Sequence, residues 1–176
     1  LVDEDDQPIG TMDKIEAHRG EGRLHRAISV FLFNSRGELL VQQRSASKIV
    51  GAGQWANTCC GNLRPGEAYL ECAHRRLRQE LGIEAVDLQE IYDFQYSVKC
   101  NAEFSEREID HVFAGKYEDE VQPVASEVSA WEWLPFSSLA NEVLQLKHRD
   151  WAPWFQIMMK DQQLLTLLKE HYAETT

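Results

Sequence analysis

The stretch 67–81, E-A-Y-L-E-C-A-H-R-R-L-R-Q-E-L, constrains the fold more than any other part of the chain. Leu70, Ala73, Leu77 and Leu81 recur at three- and four-residue spacing and make one apolar stripe. Pro65 and Gly66 precede the stripe, and Gly82 stands where a left-handed residue ends a helix. A helix is therefore expected over 67–81. Around it the pattern is that of strands. Residues 27–33, A-I-S-V-F-L-F, read as a buried strand, and N-S-R-G at 34–37 turns it into a partner at 38–43. A glycine-containing loop with Lys48 is expected over 45–54 and a short strand over 55–60. Further strands are expected at 88–98, 108–117 and 127–133, a short helix at 136–144, and one amphipathic helix at 154–172 with Ile157, Met158, Leu164, Leu165 and Leu168 inward. Residues 1–10 look like a hairpin with an acidic turn, and an irregular polar stretch follows to Arg26. A mixed sheet with one central helix and terminal helices is an α+β fold, an α/β/α sandwich, and not a doubly wound parallel sheet.

The chain has 176 residues, 43% of them hydrophobic, which suits one domain over 1–176. Within it, 1–26 is the hairpin and histidine segment and 152–176 the C-terminal helix. A formal net charge of −11 argues against nucleic acid and anionic membrane as partners, because no basic excess is present to neutralise phosphates. It leaves room for a small phosphorylated ligand held by a few local cations. Cysteines 59, 60, 72 and 100 have neither zinc-ribbon nor disulfide-framework spacing. Reduced thiols and a cytoplasmic setting are expected. No apolar run is long enough to span a bilayer, and no leader is visible. The chain opens at Leu1 without a methionine, so a short natural N-terminus is expected to precede it.

Several residues could carry chemistry, and each has a plain alternative. Cys72, Arg76 and Glu80 share one helix face, away from the apolar stripe. They read as a surface ion pair or as part of a site. Glu106, Glu108 and Asp110 alternate along a strand and so face one way. Like charges in a row need solvent, a cation or a raised pKa, so this is a solvated edge or a metal site. His18 and His25 are surface histidines or ligands. Cys60 is a small core filler or a reagent. Trp154 is core or catalytic, and Tyr96 is a plausible strand residue. Trp131 and Trp133 are core or interface, with core the favoured reading. His74, His111, His148 and His171 receive no role.

The joint pattern is more specific. Residues 61–83, G-N-L-R-P-G-E-A-Y-L-E-C-A-H-R-R-L-R-Q-E-L-G-I, resemble the Nudix box, G-x5-E-x7-R-E-U-x-E-E-x-G-U with U aliphatic. Gly61, Glu67, Arg75, Leu77, Glu80, Gly82 and Ile83 fall in register. Arg76 and Gln79 depart, and both departures remove carboxylates that a Nudix hydrolase uses to hold magnesium and activate water. Preceded by W-x-N-T-x-C-G, the segment is similar to the type I isopentenyl-diphosphate isomerases, a branch of the Nudix superfamily. D-K-x-x-A-H at 13–18, R-L-H at 23–25, F-x-F-N-S-R-G-E-L-L-V-Q-Q-R at 31–44, S-K at 47–48, D-F-x-Y at 93–96, E-x-E at 106–108 and A-P-W at 152–154 extend the resemblance over most of the chain.

That resemblance implies an isomerase that interconverts isopentenyl and dimethylallyl diphosphate through a tertiary carbocation. It implies Cys60 and Glu108 as the proton-transfer groups, Tyr96 assisting Glu108, and Trp154 facing the cation. It implies Lys14, Arg44, Lys48 and Arg76 around the diphosphate, and Glu80 on a magnesium ion that accompanies it. It also implies one divalent metal, manganese, magnesium or zinc, on His18, His25, Glu106 and Glu108. The family's third histidine falls on Asn62, and Leu63 replaces the proline that usually follows. A harder, weaker ligand at 62 shifts the expected metal from zinc toward magnesium or manganese. The implied partner is a small isoprenoid diphosphate, with the chain a monomer or weak dimer. Three readings follow: the isomerase, a Nudix hydrolase of a nucleoside or isoprenoid diphosphate, and a non-catalytic diphosphate binder weakened at Asn62.

Overall fold

The computed structural model describes residues 1–146 and 148–173. Seven strands, β1 (His25–Phe33), β2 (Glu38–Arg44), β3 (Trp55–Ala56), β4 (Cys59–Asn62), β5 (Gln89–Lys99), β6 (Ser105–Lys116) and β7 (Val128–Pro135), form one mixed sheet. β1 and β2 pair at a single register position, Phe33 with Leu39, and then diverge. Beyond that point β1 takes β4 antiparallel and β6 parallel, while β2 takes β3 and β7, both antiparallel. β5 closes the far edge against β6.

Both faces of the sheet are covered. On one, α2 (Tyr69–Leu81) packs Cys72, Ala73, Leu77 and Leu81 against Ile28, Val30 and Leu32 of β1. On the other, Phe31 and Phe33 meet Phe155, Met158, Leu164 and Leu168 of the C-terminal helices α4 (Pro153–Met158) and α5 (Gln162–Leu168). β1 alternates between the two layers, so nearly every residue in it is buried. The α/β/α sandwich is as expected, and α3 (Phe136–Leu144) lies where the sequence places it. Among the described residues no helix is long and apolar enough to cross a membrane.

Several local expectations are corrected. The central helix begins at Tyr69, not Glu67, because Ala68 is extended and the Glu67 carboxylate bonds the Arg64 amide at 2.9 Å in the preceding turn. Gly82 ends it at φ 67°, as expected. Leu70 is exposed, while Cys72 and Glu80, assigned to the polar face, are completely buried. The expected C-terminal helix breaks in two at Asp161, whose carboxylate caps α5 by accepting from the Gln163 and Leu164 amides. A π-helical turn, Lys169–Ala173, follows α5. The end of the expected segment, 174–176, lies outside the described residues. The 55–60 strand is split by Asn57 and Thr58, which turn their side chains inward to bond Val30 and Leu40 carbonyls. Residues 14–18, expected to be irregular, form the short helix α1 (Lys14–His18), capped by Asp13. Trp131 is exposed on β7 rather than in the core.

Candidate active site

The parallel and antiparallel neighbours of β1 assemble the site. His25 lies opposite Glu108, Ser29 opposite Cys60, and Tyr96 of β5 opposite Glu108. The residues converge on the sheet face that α4 covers. The residues that the resemblance assigns to the site line one cleft there, apart from His18 and His25, which contact Glu106 and Glu108 and line an adjoining cavity; Cys72 and Asp110 are buried outside the cleft. This cleft encloses about 30 Å³, room for about one water molecule.

The histidines and carboxylates form a compact group. His18 Nδ1 lies 2.6 Å from the Lys14 carbonyl, and His25 Nδ1 lies 2.7 Å from the Arg23 carbonyl. A carbonyl only accepts, so both Nδ1 atoms carry a proton, and in the neutral tautomer each ring presents an Nε2 lone pair forward. Those lone pairs face acceptors: His18 Nε2 is 2.9 Å from Glu106 Oε2, and His25 Nε2 is 3.3 Å from Glu108 Oε1. Glu106 Oε2 is buried with no aligned hydrogen bond. One ligand atom from each of the four residues lies within 4.8 Å of the others. With both rings in that tautomer, two imidazoles and two carboxylates present lone pairs to one point, a donor set that fits a divalent cation. The charges respond accordingly. Burial and the adjacent Glu108 charge raise the Glu106 pKa. Burial also pushes Glu108 upward, but hydrogen bonds from His25 and Tyr96 outweigh it and the net shift is down. Burial lowers His25, and the Glu108 contact reverses the sign.

Asn62 belongs to this group. Its Nδ2 is 2.9 Å from Glu108 Oε1 and 3.0 Å from His25 Nε2. Two acceptors require the NH2 end of the amide to face them. In this arrangement Asn62 donates to the cluster and does not ligate.

Cys60 and Tyr96 complete the chemical part of the cleft. Burial pushes the Cys60 thiol up to about 12, so it carries its proton. The thiol lies 3.2 Å from Asn57 Oδ1 and 3.6 Å from Ser29 Oγ. Ser29 donates to Asp110 at 2.7 Å, and burial raises Asp110 well above the usual carboxylate range. Tyr96 donates to Glu108 Oε2 at 2.5 Å. Trp154 is buried with its indole N–H unpaired, and Arg44 lies over its ring at 5.1 Å. Asp110 was visible as the third member of the carboxylate alternation. Ser29 and Asn57 carried no signal of their own.

The cationic end is a ring of four charges. Glu80, completely buried, accepts from Lys48 and Arg76 on Oε1 and from Gln42 and the Cys59 thiol on Oε2. Glu127, which the sequence did not single out, contacts the same Lys48 and Arg76. Arg76 reaches the cleft past Gly61: a Cβ on Gly61 would stand 2.4 Å from Arg76 Cγ. The remaining box glutamate serves structure, since Glu67 holds Arg75 bidentately at 2.5 and 2.8 Å.

A NUDIX domain model matches residues 23–155. The chain is 40% identical to an isopentenyl-diphosphate Delta-isomerase of Serratia proteamaculans, over 92% of this chain and 88% of that protein. It is 43% identical to isopentenyl-diphosphate Delta-isomerase 1 of Aromatoleum aromaticum, over 84% and 82%. The chain belongs to the NUDIX-domain isopentenyl-diphosphate Delta-isomerase family. The fold agrees with crystal structures of a Deinococcus radiodurans protein (TM-score 0.74, 22% identity, 91% of this chain and 95% of that one) and of a MutT protein from Methanosarcina mazei (TM-score 0.62, 19%, 78% and 91%). Set against the hydrolase box, this family member has its two retained box glutamates committed to arginine and lysine partners, and the other two positions filled by Arg76 and Gln79.

Proposed function

We propose that this chain interconverts isopentenyl diphosphate and dimethylallyl diphosphate, with Cys60 and Glu108 as the proton-transfer groups. The observation that carries the reading is their placement. They sit on strands that flank β1 on opposite sides, and both open on the same cleft. The neutral thiol is a proton source and the ionised carboxylate a proton sink, which are the two states the reaction needs at its start.

Cys60 delivers a proton to the terminal methylene of isopentenyl diphosphate, and the positive charge forms at the methyl-bearing carbon. Glu108 removes a proton from the carbon next to it on the diphosphate side, and the double bond forms there. The Trp154 ring face stabilises the cation, by about 2 kcal/mol in a desolvated site. Tyr96 aims Glu108 through its 2.5 Å hydrogen bond. Lys14, Arg44, Lys48 and Arg76 hold the diphosphate; Glu80, implied as a ligand of the accompanying magnesium, has both oxygens taken by Lys48, Arg76, Gln42 and Cys59 and serves as the counter-ion of the two cations instead. His18, His25, Glu106 and Glu108 would hold a divalent ion, manganese, magnesium or zinc; the expected shift away from zinc assumes a ligating oxygen at 62, and the amide presents its NH2 to the cluster instead. Such an ion would supply the positive charge that lets Glu106 and Glu108 stay ionised side by side. A hydrolase needs free carboxylates on the box helix, and Glu67 and Glu80 are both engaged.

Proton NMR with isopentenyl diphosphate in deuterated water, with magnesium and then manganese added, tests this. Dimethylallyl diphosphate carrying deuterium is the expected product. Released phosphate, or bound substrate that never turns over, would refute it.

A further inference from the structure

We propose that Glu127 is an internal counter-ion of Lys48 and Arg76 that is exchanged for phosphate oxygens when a diphosphate binds. This rests on the reading that Lys48 and Arg76 hold the diphosphate.

The donor count on Arg76 leads to it. Nε points to the Cys60 carbonyl at 3.4 Å, NH1 to Gln79 Oε1 at 3.0 Å, and NH2 to both Glu80 and Glu127. A guanidinium has five N–H groups, so four are taken and both on NH2 are spent. Lys48 likewise divides its ammonium between Glu80 and Glu127. A bidentate phosphate contact through NH2 therefore requires one carboxylate to leave.

Burial and partners decide which one. The Glu80 side chain is 1% exposed, and its other oxygen is held by Gln42 at 2.6 Å and by the Cys59 thiol. Removing it would strand a charge in the core. The Glu127 side chain is 30% exposed, and its carboxylate is held only by Lys48 and Arg76 among the described residues. Its backbone is fixed by other contacts, since its carbonyl accepts from the Ser45 amide at 3.0 Å. The side chain can swing into water without disturbing the loop that carries Lys48. The ring of two cations and two anions is neutral, and the cleft it closes has room for about one water. Release of Glu127 both restores a net positive charge and opens space.

Calorimetric titration with inorganic pyrophosphate, without divalent metal, tests the exchange. Glu127→Gln and Glu127→Ala should bind pyrophosphate roughly three- to tenfold more tightly than wild type, the scale of a partly exposed ion pair. Glu84→Gln removes the same charge from an exposed pair with Arg78, on α2, and should leave affinity unchanged. Unchanged or weaker binding by both Glu127 variants would overturn the proposal and make Glu127 a support for the two cations. An equal gain in Glu84→Gln would also overturn it, by reducing the effect to net charge. No pyrophosphate binding by any form would sink the diphosphate reading itself and the exchange with it.

Discussion

Replacing Glu67 by glutamine should remove about 3 kcal/mol of stability at neutral pH, and the loss should fade in acid. Glu67 is gripped by Arg75 at 2.5 and 2.8 Å and by the Arg64 amide at 2.9 Å. Its side chain is 12% exposed, so solvent screens these contacts little. The hydrogen bond from Arg75 is the largest influence, and it holds the carboxyl at about 2 against an ordinary 4.5. That difference of about 2.5 units corresponds to about 3 kcal/mol. The native state holds its proton more weakly than the unfolded chain, so this stabilisation is complete above pH 4.5 and gone below about pH 2. Urea unfolding of wild type and Glu67→Gln should show a gap of about 3 kcal/mol at pH 7 that shrinks to roughly 1 kcal/mol at pH 3. A gap that is the same at both pH values, or a gap near zero at pH 7, would refute the reasoning. The clamp also touches the site, because Arg75 NH2 donates to the Asn62 carbonyl at 3.2 Å.

Three further outcomes are expected. Cys60→Ala should lower isomerisation by about 10² to 10⁴ while the circular dichroism spectrum and melting temperature stay near wild type; full turnover in deuterated water would exclude the thiol as proton source. Gly61→Ala should displace Arg76 and raise KM for isopentenyl diphosphate on the order of tenfold, with a smaller change in kcat, because the new Cβ meets the base of the arginine side chain at 2.4 Å. Steady-state kinetics that leave KM unchanged would show that Arg76 does not serve the diphosphate. Asn62→His should raise divalent-metal affinity on the order of tenfold or more, read by metal content after dialysis and by calorimetry; an unaltered affinity would mean that position 62 does not complete the coordination sphere.

The layers of the sandwich, the strand order of β1 and β2, and the short α3 were legible because apolar periodicity and turn residues encode them locally. The corrections share a cause. Leu70 reads as core by spacing, yet it falls in the first turn of α2 and is exposed. Cys72 and Glu80 read as polar-face residues, yet neighbouring elements wrap over them. Asp161 is an ordinary residue inside an amphipathic pattern until its capping bonds are seen. Within the site, the E-x-E alternation pointed to a face of carboxylates, the resemblance put His18 and His25 with them, and the structure brings the four together. Ser29 and Glu127 were invisible because their importance comes from pairing across long sequence separations, 81 residues for Ser29 with Asp110 and 79 for Lys48 with Glu127.

The two box departures and Asn62 belong to one electrostatic arrangement. With glutamate at 76 and 79 the helix would gather negative charge and attract cations. Arg76 reverses that sign, and Gly61 supplies the opening through which the guanidinium enters the cleft. Once Arg76 is there, Glu80 can be buried as an anion because Arg76 and Lys48 outweigh the cost of its desolvation and hold its pKa at about 2. At the other end Glu108 must also remain an anion, and here donors do the holding: Tyr96 on one oxygen and Asn62 on the other. Asn62 therefore keeps Glu108 aimed whether or not a metal stands beside it. Cationic side chains, an oriented carboxylate and a protonated thiol thus line one cleft.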